Sequence, residues 1–416
     1  MLFNKPRAKD YMESCSLDAL VATSPVNIRY FSGYHLWADT QVKTYMVQPG
    51  ADSDLAMPGY AVFPLDGEPA LTLPPVLAAN AADLWVKDIY GFGDSAPQDD
   101  LPPPLPIPDN YQRFHDLLYS PKVSSSPTDA LLKILESSGL TDGRIGIEFE
   151  GLPAKTIEEI RAALPGATLL DCSNLIRLVR MVKSDEEIRR LARSAEISEQ
   201  AAMKAFEMAK PGVSLQDLNQ CFRRCVAEEG ADFDHFAIGP RGLGLVTEPN
   251  YVLMEDDVLF SDYGCVYQGY FSDTGTTLAM CGMSDPLNRR HEALHECFTA
   301  GMEVIEPGVK ASTVREAMWK KLNDCGFTDS NPHGHGIGLE TRDYPILVSD
   351  NGLRIKDDCV DIPSDIPLEE NMVINLEAPM FVPGVGSIQI EYTLIVTSEG
   401  CRPLFPHNRE QPYMSE

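Results

Sequence analysis

The first part of the chain alternates short apolar runs with stretches of helical periodicity. Apolar residues recur every three or four positions in residues 128–137 and 154–163, which predicts a helix in each. Short runs rich in Ala, Val, Leu and Ile predict strands at residues 19–22, 61–63, 70–73 and 145–149. This alternation indicates a small α/β domain.

Longer helical patterns follow in the second part of the chain. Ser184 followed three residues later by Glu187 forms a capping box, which marks the start of the first of them. The predicted helices cover residues 183–209, 215–229, 286–305 and 311–325. A Pro-Gly pair separates the two helices of each half, so the helix pair occurs twice and indicates internal pseudosymmetry.

Five metal-type side chains occur in the last two-fifths of the chain: Asp262, Asp273, His335, Glu377 and Glu391. The two Asp are eleven residues apart (273 − 262) and the two Glu fourteen (391 − 377). Each pair lies on consecutive β-type runs joined by Gly-containing turns, so neighbouring strands would bring the carboxylates together. Four carboxylates and one imidazole form an oxygen-rich set that can hold two divalent cations about 3.5 Å apart.

The motifs around these residues resemble those of the pita-bread metallopeptidase family, which includes prolidase, aminopeptidase P, methionine aminopeptidase and creatinase. They read D-Y-G-C-V-Y-Q-G-Y-F-S-D, G-H-G-I-G-L-E and M-V-I-N-L-E. Residues 17–34 resemble the start of the creatinase-type N-terminal domain, and residues 175–188 resemble the segment that joins it to the catalytic domain. The resemblance implies an α+β protein: a smaller α/β domain at residues 1–174, then a pita-bread catalytic domain at residues 175–416.

The resemblance also implies a chemistry. The five residues would bind two divalent metal ions, with Mn, Co, Fe and Zn all suited to such a site. A hydroxide held between the metals would attack the substrate, and Glu377 would also carry the proton. The leading expectation is therefore a metal-dependent hydrolase of a small peptide or amide, of the Xaa-Pro dipeptidase or aminopeptidase type.

Several positions depart from the family pattern. Where prolidases carry a His-Glu pair after the second motif, this chain has Arg342 and Asp343. The Arg that precedes the last ligand in the family is Gln389 here. The family's His in the loop ahead of the first Asp has no counterpart, since no His occurs between His235 and His291.

These departures leave the substrate open. Arg342 would either replace the lost positive charge or bind a substrate carboxylate through its planar fork, with Tyr344 as a neighbouring substrate contact. A second hypothesis is a non-peptidase member of the family, a creatinase-like C–N hydrolase or a dimethylsulfoniopropionate lyase, with Asp343 as the base. A third is a binding protein that has kept the fold without activity. The H-E-x-x-H sequence at residues 291–295 is a weaker, zinc-protease alternative.

The net charge and composition exclude some classes of binding partner and indicate the cellular compartment. The net charge of −28 repels phosphate backbones and anionic lipid surfaces, which argues against nucleic acid and membrane as partners. The chain contains no apolar run of membrane-spanning length and no apolar N-terminal leader, so a cytoplasmic protein is expected. The ten cysteines lack paired spacing and are expected to be reduced.

The resemblance further implies a homodimer with shared sites. An N-terminal domain of one protomer would overhang the substrate pocket of its partner. The aromatic-rich turn at residues 30–37 is the predicted overhanging segment, with His35 and Trp37 as substrate contacts.

Overall fold

The computed structural model describes residues 2–35, 59–93, 105–118, 123–246, 250–406 and 411–415. The chain divides into two compact units. The first comprises Met1–Val179 and Ile355–Ile362, and the second comprises Arg180–Arg354 and Pro363–Glu416. The first unit thus extends five residues past the predicted boundary at residue 174 (179 − 174) and includes a short segment from late in the chain.

The first unit contains a mixed sheet of seven described strands. They are β1 (Ala19–Ala22), β2 (Ala61–Pro64), β3 (Ala70–Leu73), β4 (Asp88–Phe92), β5 (Val123–Ser124), β6 (Arg144–Ile147) and β7 (Thr168–Asp171). The strand order is β5-β4-β3-β2-β1-β6-β7, and β2 runs antiparallel to both of its neighbours. The four predicted strands are confirmed within two residues at their ends.

Helices accompany this sheet. They are α1 (Lys5–Ser14), α2 (Pro25–Ser32), α3 (Pro75–Ala78), α4 (Asp109–Leu118), α5 (Pro127–Ser137), α6 (Ala154–Ala163) and α7 (Ser173–Met181). The helices predicted at residues 128–137 and 154–163 are confirmed by α5 and α6. Strand β1 is buried along its whole length, as expected for an apolar run in the middle of a covered sheet.

The second unit is built on a larger sheet. Its strands are β8 (Asp232–Pro240), β9 (Val258–Tyr267), β10 (Tyr270–Phe271), β11 (Thr274–Ala279), β12 (His333–Gly336), β13 (Asp343–Leu347), β16 (Val373–Glu377), β19 (Glu391–Thr397), β20 (Gly400–Pro403) and β21 (Tyr413–Met414). The described strands follow the order β10-β9-β11-β19-β16-β12-β13, with β8 on β9, β20 on β19 and β21 on β11. Two small hairpins complete the described strands: β14 (Arg354–Lys356) with β15 (Asp361–Pro363), and β17 (Met380–Val382) with β18 (Gly386–Ile388).

Two helix pairs belong to this unit: α8 (Asp185–Phe206) with α9 (Leu215–Glu228), and α10 (Asp285–Glu303) with α11 (Ala311–Asp324). All four predicted helices are confirmed, and Ser184 and Glu187 form the predicted capping box at the start of α8. Among the described helices, none is long and apolar enough to cross a bilayer.

The α8–α9 pair packs on β8 and β9 through an apolar cluster. Phe206 and Phe222 from the helices contact Phe236 and Tyr263 from the strands, with Phe222 and Phe236 stacked at 4.8 Å between ring centroids. Successive side chains of a strand point to opposite faces of the sheet. The residues before Phe236 and Tyr263 therefore face away from the helices, and they carry the polar groups described next.

Candidate metal centre

A row of cross-strand neighbours runs across five strands of the larger sheet. Asp262 on β9 pairs with Gly275 on β11, Gly275 with Glu391 on β19, Glu391 with Glu377 on β16, and Glu377 with His333 on β12. Directly paired residues point to the same face of a sheet. Three of the predicted ligands therefore share one face because of strand register alone.

The other two predicted ligands lie in a second row, two residues along the strands. His335 pairs with Asn375, and Asn375 pairs with Thr393. The main-chain oxygen of Asp273, which directly precedes β11, accepts hydrogen bonds from Asn375 Nδ2 at 2.9 Å and Thr393 Oγ1 at 2.6 Å. These bonds hold Asp273 next to Thr393 and Asn375, and so in the same row as His335.

An imidazole that the sequence did not suggest completes this second row. His235 on β8 places Nε2 at 2.9 Å from Asp262 Oδ1 and 3.4 Å from Asp273 Oδ1. Its Nδ1 lies 2.8 Å from Asp234 Oδ2. A register shift between Phe233 and His235, a β-bulge, interrupts the pairing of β8 with β9 at this point.

Two further imidazoles approach from β12. His335 places Nε2 at 3.4 Å from Asp273 Oδ2 and 3.9 Å from Glu377 Oε1, while Nδ1 bonds the Gly336 carbonyl at 3.0 Å. His333 places Nε2 at 2.9 Å from Glu377 Oε1, with Nδ1 on the Asn331 carbonyl at 2.9 Å. A carbonyl can only accept, so both Nδ1 atoms carry hydrogen and both Nε2 atoms face the carboxylates. His333 is a second site residue that the sequence analysis missed.

Glu391 is fully enclosed at the centre of the first row. It accepts hydrogen bonds from Asn375 Nδ2 at 2.9 Å and from Gln389 Nε2. Gln389 thus contacts the last ligand from the position where the family carries Arg. The amide oxygens of Asn375 and Gln389 are buried without a hydrogen-bond partner among the described residues, which leaves room in the hydrogen-bonding scheme for a bound group.

Burial and crowding shift the pKa values of the carboxylates in this cluster. Burial raises the pKa of Asp262 to about 6, with His235 opposing the shift and Asp273 adding to it. Burial and the neighbouring carboxylates raise the pKa of Glu391 well above its usual range. For Asp273, hydrogen bonds from His235 and His335 outweigh burial and lower the pKa. Crowded buried carboxylates with imidazoles at their edge are a donor set that fits divalent cations.

Arg342 lies at the edge of this cluster. Its side chain is 65% exposed, and Nη2 is 3.4 Å from Glu377 Oε1. The guanidinium group therefore reaches the carboxylate cluster while most of it remains exposed.

Asp343 has different surroundings from those expected of a base. It is buried, and Oδ2 lies 2.7 Å from Nη2 of Arg180, which also bonds Glu340. Burial would raise the pKa of Asp343, but the charges of Arg180 and Lys183 outweigh it and lower the pKa. A carboxylate held ionised in a buried ion pair is a poor proton acceptor, so the structure does not support the role of base.

The remaining substrate-contact predictions receive no support from the structure. Tyr344 is half-buried beside the second row, and a Cβ on Gly336 would collide with its carbonyl group. His35 is an exposed residue of the first unit, and Trp37 lies outside the described residues. All three remain predictions.

The H-E-x-x-H sequence lies on α10, away from any such group. His291 is buried, and burial together with His295 lowers its pKa to about 4. In the described part of the chain, three metal-type side chains with ligand atoms within 4.8 Å of one another occur at His235, Asp262 and Asp273, and not around His291. The zinc-protease alternative therefore gains no support.

Comparisons with known proteins agree with the fold. The profile of metallopeptidase family M24 matches residues 189–398, and that of the creatinase/prolidase N-terminal domain matches residues 6–182. An Xaa-Pro dipeptidase of Lactobacillus helveticus is 24% identical over 409 residues, covering 96% of this chain and 95% of that protein. An Xaa-Pro dipeptidase of Lactobacillus delbrueckii subsp. lactis is 22% identical over 423 residues, covering 98% of each.

Solved structures share the architecture. An X-Pro aminopeptidase from Thermotoga maritima MSB8 superposes with a TM-score of 0.73 at 17% identity, over 97% of this chain and 99% of that one. A prolidase from Pyrococcus horikoshii OT3 gives a TM-score of 0.69 at 21% identity, over 98% and 99%. At these identities the likeness shows the fold.

Fold and site together define a metal-dependent hydrolase with a pita-bread catalytic domain. The chain belongs to metallopeptidase family M24, and its N-terminal part belongs to the creatinase/prolidase N-terminal domain family.

Proposed function

We propose that the protein is a dinuclear metallopeptidase that cleaves short Xaa-Pro peptides. The observation that carries this proposal is the convergence of four carboxylates and three imidazoles on one face of a single sheet. The names of the relatives, Xaa-Pro dipeptidase and X-Pro aminopeptidase, support the substrate class.

The five predicted residues are the proposed holders of the cations, namely Asp262, Asp273, His335, Glu377 and Glu391. When bound, two divalent cations supply Lewis acidity for the scissile carbonyl and make water a nucleophile near neutral pH. The chain's own contribution is to fix the carboxylates before any cation arrives. Asn375, Gln389 and Thr393 do this through hydrogen bonds to Glu391 and to the backbone of Asp273.

Glu377 is the proposed proton carrier. Its side chain is more exposed than that of Glu391 and less exposed than that of Asp262. Its Oε1 lies 2.9 Å from His333 Nε2 and 3.4 Å from Arg342 Nη2. These contacts orient the carboxylate so that it can accept the proton of the attacking water and pass it to the leaving nitrogen. His333 acts here as a positioning residue, in place of the imidazoles that the family carries elsewhere.

Arg342 is the proposed anchor for the carboxylate at the end of the substrate. Its exposed planar fork can bind a carboxylate bidentately, and it reaches Glu377, so a peptide held there would be short. A dipeptide satisfies both constraints, which favours dipeptidase over aminopeptidase activity.

A second candidate is hydrolysis of a non-peptide C–N bond at the same site. The substitution of Arg342 for a family imidazole favours it, because a small carboxylate-bearing substrate would use the same anchor. The lyase form of this hypothesis needs Asp343 as base, and the ion pair with Arg180 disfavours it.

The decisive experiment is a turnover panel with protein that has been reconstituted with metal. It compares an Xaa-Pro dipeptide, its C-terminal amide, a longer Xaa-Pro peptide, creatine and dimethylsulfoniopropionate. We expect the dipeptide to be the best substrate. Arg342→Ala should raise KM for the dipeptide by about tenfold or more and leave KM for the amide nearly unchanged, since a charge-assisted pair contributes about 1.5 to 3 kcal/mol.

Arg342→Lys is the matched control because it keeps the charge and removes the fork. It should fall between wild type and Arg342→Ala on the dipeptide. A protein that holds two cations but turns over no Xaa-Pro substrate would refute the peptidase proposal. Turnover of creatine alone would establish the second candidate instead.

A further inference from the structure

The position of His235 is unusual for a side chain that merely supports a ligand. Its Nε2 lies between oxygens of two different carboxylates, at 2.9 Å from Asp262 and 3.4 Å from Asp273. Ligand atoms at about 2.1 Å from one cation are about 3.0 Å apart at right angles and about 3.4 Å apart in a tetrahedron. Both distances from Nε2 are therefore compatible with donors that share one cation, and ligand atoms of all three residues lie within 4.8 Å of one another.

The other nitrogen of His235 determines what Nε2 can do. Asp234 Oδ2 lies 2.8 Å from Nδ1, and an ionised carboxylate only accepts hydrogen bonds. Nδ1 therefore carries a hydrogen, and Nε2 faces two further carboxylate oxygens. Without a cation, hydrogen bonds to Asp234, Asp262 and Asp273 outweigh burial and raise the pKa of His235, so a proton on Nε2 fills this position. A cation bound between the carboxylates would take the place of that proton. This carboxylate–histidine arrangement is the one that orients metal-binding imidazoles in proteins.

The neighbouring strand leaves space for the ring. Gly264 pairs with His235, and a Cβ on Gly264 would lie 2.6 Å from His235 Cε1 and would collide with the Ser272 carbonyl. The absence of a side chain at residue 264 lets the imidazole reach across β9 to Asp262 and Asp273.

We propose that His235 is a sixth protein ligand, bound through Nε2 to the cation that Asp262 and Asp273 hold. The proposal rests on the dinuclear function proposed above and adds a residue outside the five predicted ligands. The two oxygens of Asp273 lie between the two imidazoles, with Oδ1 3.4 Å from His235 Nε2 and Oδ2 3.4 Å from His335 Nε2. Each of two bound cations would then have one imidazole.

This ligand changes the expected metal. A site with carboxylates alone suits manganese or magnesium, whereas imidazole favours zinc, iron, cobalt and nickel. With a nitrogen donor on both cations, the protein should prefer zinc or cobalt over manganese at both positions.

The test compares His235→Ala and His235→Gln with wild type by titration of the chelator-treated protein with cobalt. Glutamine can place an N–H donor near the position of Nε2, but its amide nitrogen is a poor ligand. We expect wild type to bind two equivalents, and both variants to lose more than about 100-fold in affinity for one equivalent, since loss of an outer-shell partner alone costs about 10- to 100-fold. If His235→Gln keeps wild-type affinity while His235→Ala loses it, the imidazole is only a hydrogen-bond donor and the proposal is overturned.

A count of imidazoles per cation by X-ray absorption gives a second readout that is independent of activity. Wild type should show about one imidazole per cobalt ion, and His333→Gln should leave that count unchanged. His235→Gln should lower the number of imidazoles bound per pair of cobalt ions. A count near one-half in wild type, as His335 alone would give, overturns the proposal even if no His235 variant folds.

The two proposals fail in different ways. If wild-type protein binds no cation, the dinuclear function fails. If wild type binds two and the His235 variants bind two with unchanged affinity and imidazole count, only the sixth ligand fails.

Discussion

Replacing Asp343 with Asn tests whether this residue acts in catalysis or in the fold. The substitution keeps the shape of the side chain and removes its charge. Arg180, whose side chain is only 3% exposed, would then face a neutral amide at the position where Asp343 Oδ2 now lies 2.7 Å away. The free energy of unfolding should therefore fall.

The size of the loss follows from the burial of both partners. Breaking a buried ion pair by removing one partner costs about 3 to 5 kcal/mol. Arg180 keeps its contact with Glu340, whose side chain is 40% exposed, so the lower end applies. A loss of about 3 kcal/mol corresponds to a Tm about 6 to 12 °C lower for a domain of this size.

The assay is thermal and urea unfolding of wild type and Asp343→Asn, both with chelator and with saturating metal. The exposed Asp350 supplies the control, since Asp350→Asn should change stability by less than about 0.5 kcal/mol. The double variant Arg180→Met/Asp343→Leu should recover much of the loss, because an apolar pair can replace a buried ion pair. Unchanged stability of Asp343→Asn, with turnover abolished and metal retained, would refute this reasoning and restore the role of base.

Three further predictions follow from the site and its supports. Burial raises the pKa of Glu187 to about 7, against the opposing charge of Lys183, so the folded state holds a proton that the unfolded state releases near pH 4.5. The free energy of unfolding of wild type, relative to that of Glu187→Gln, should therefore fall as the pH rises from about 4.5 to 7, as measured by urea unfolding. The same pH dependence of stability in both proteins would contradict this prediction. Gly264→Ala should lower affinity for one cation by displacing His235, and elemental analysis that still finds two tightly bound ions would exclude this. Light scattering should report a homodimer, and a monomer at micromolar concentration would remove the shared-site prediction.

Local signals in the sequence were enough for the four long helices of the second unit and for four strands and two helices of the first unit. Ser184 and Glu187 marked the start of α8 because a capping box acts within one helical turn. The strand at residues 19–22 was predictable because an apolar run of that length has few alternatives in a chain of alternating elements. The strand register places Glu377 opposite Glu391. The alternation of side chains along each strand could suggest that both face the same side of the sheet, but it could not establish that they are paired.

The residues that were missed depend on contacts between distant segments. His235 is 27 residues before Asp262 (262 − 235), and a bulge in β8 changes the register between them. The pairing of Asp343 with Arg180 spans 163 residues. His333 is the exception, because it lies two residues before His335 and alternate residues of a strand share a face. That spacing was a usable signal.

The two rows of site residues cross several strands of the larger sheet, so cation binding depends on the strand register. Asp262 and Glu391 are 129 residues apart (391 − 262), and they meet only when β9, β11 and β19 are all paired correctly. A slip of one residue in any of these strands would turn a carboxylate to the opposite face. At a free cation concentration 100 times Kd, the correctly paired sheet would gain about 2.7 kcal/mol per site that a slipped sheet could not. Cation binding would thus selectively stabilise the chains whose strands are correctly paired. Protein produced without these metals should contain a larger fraction of chains with shifted strand register.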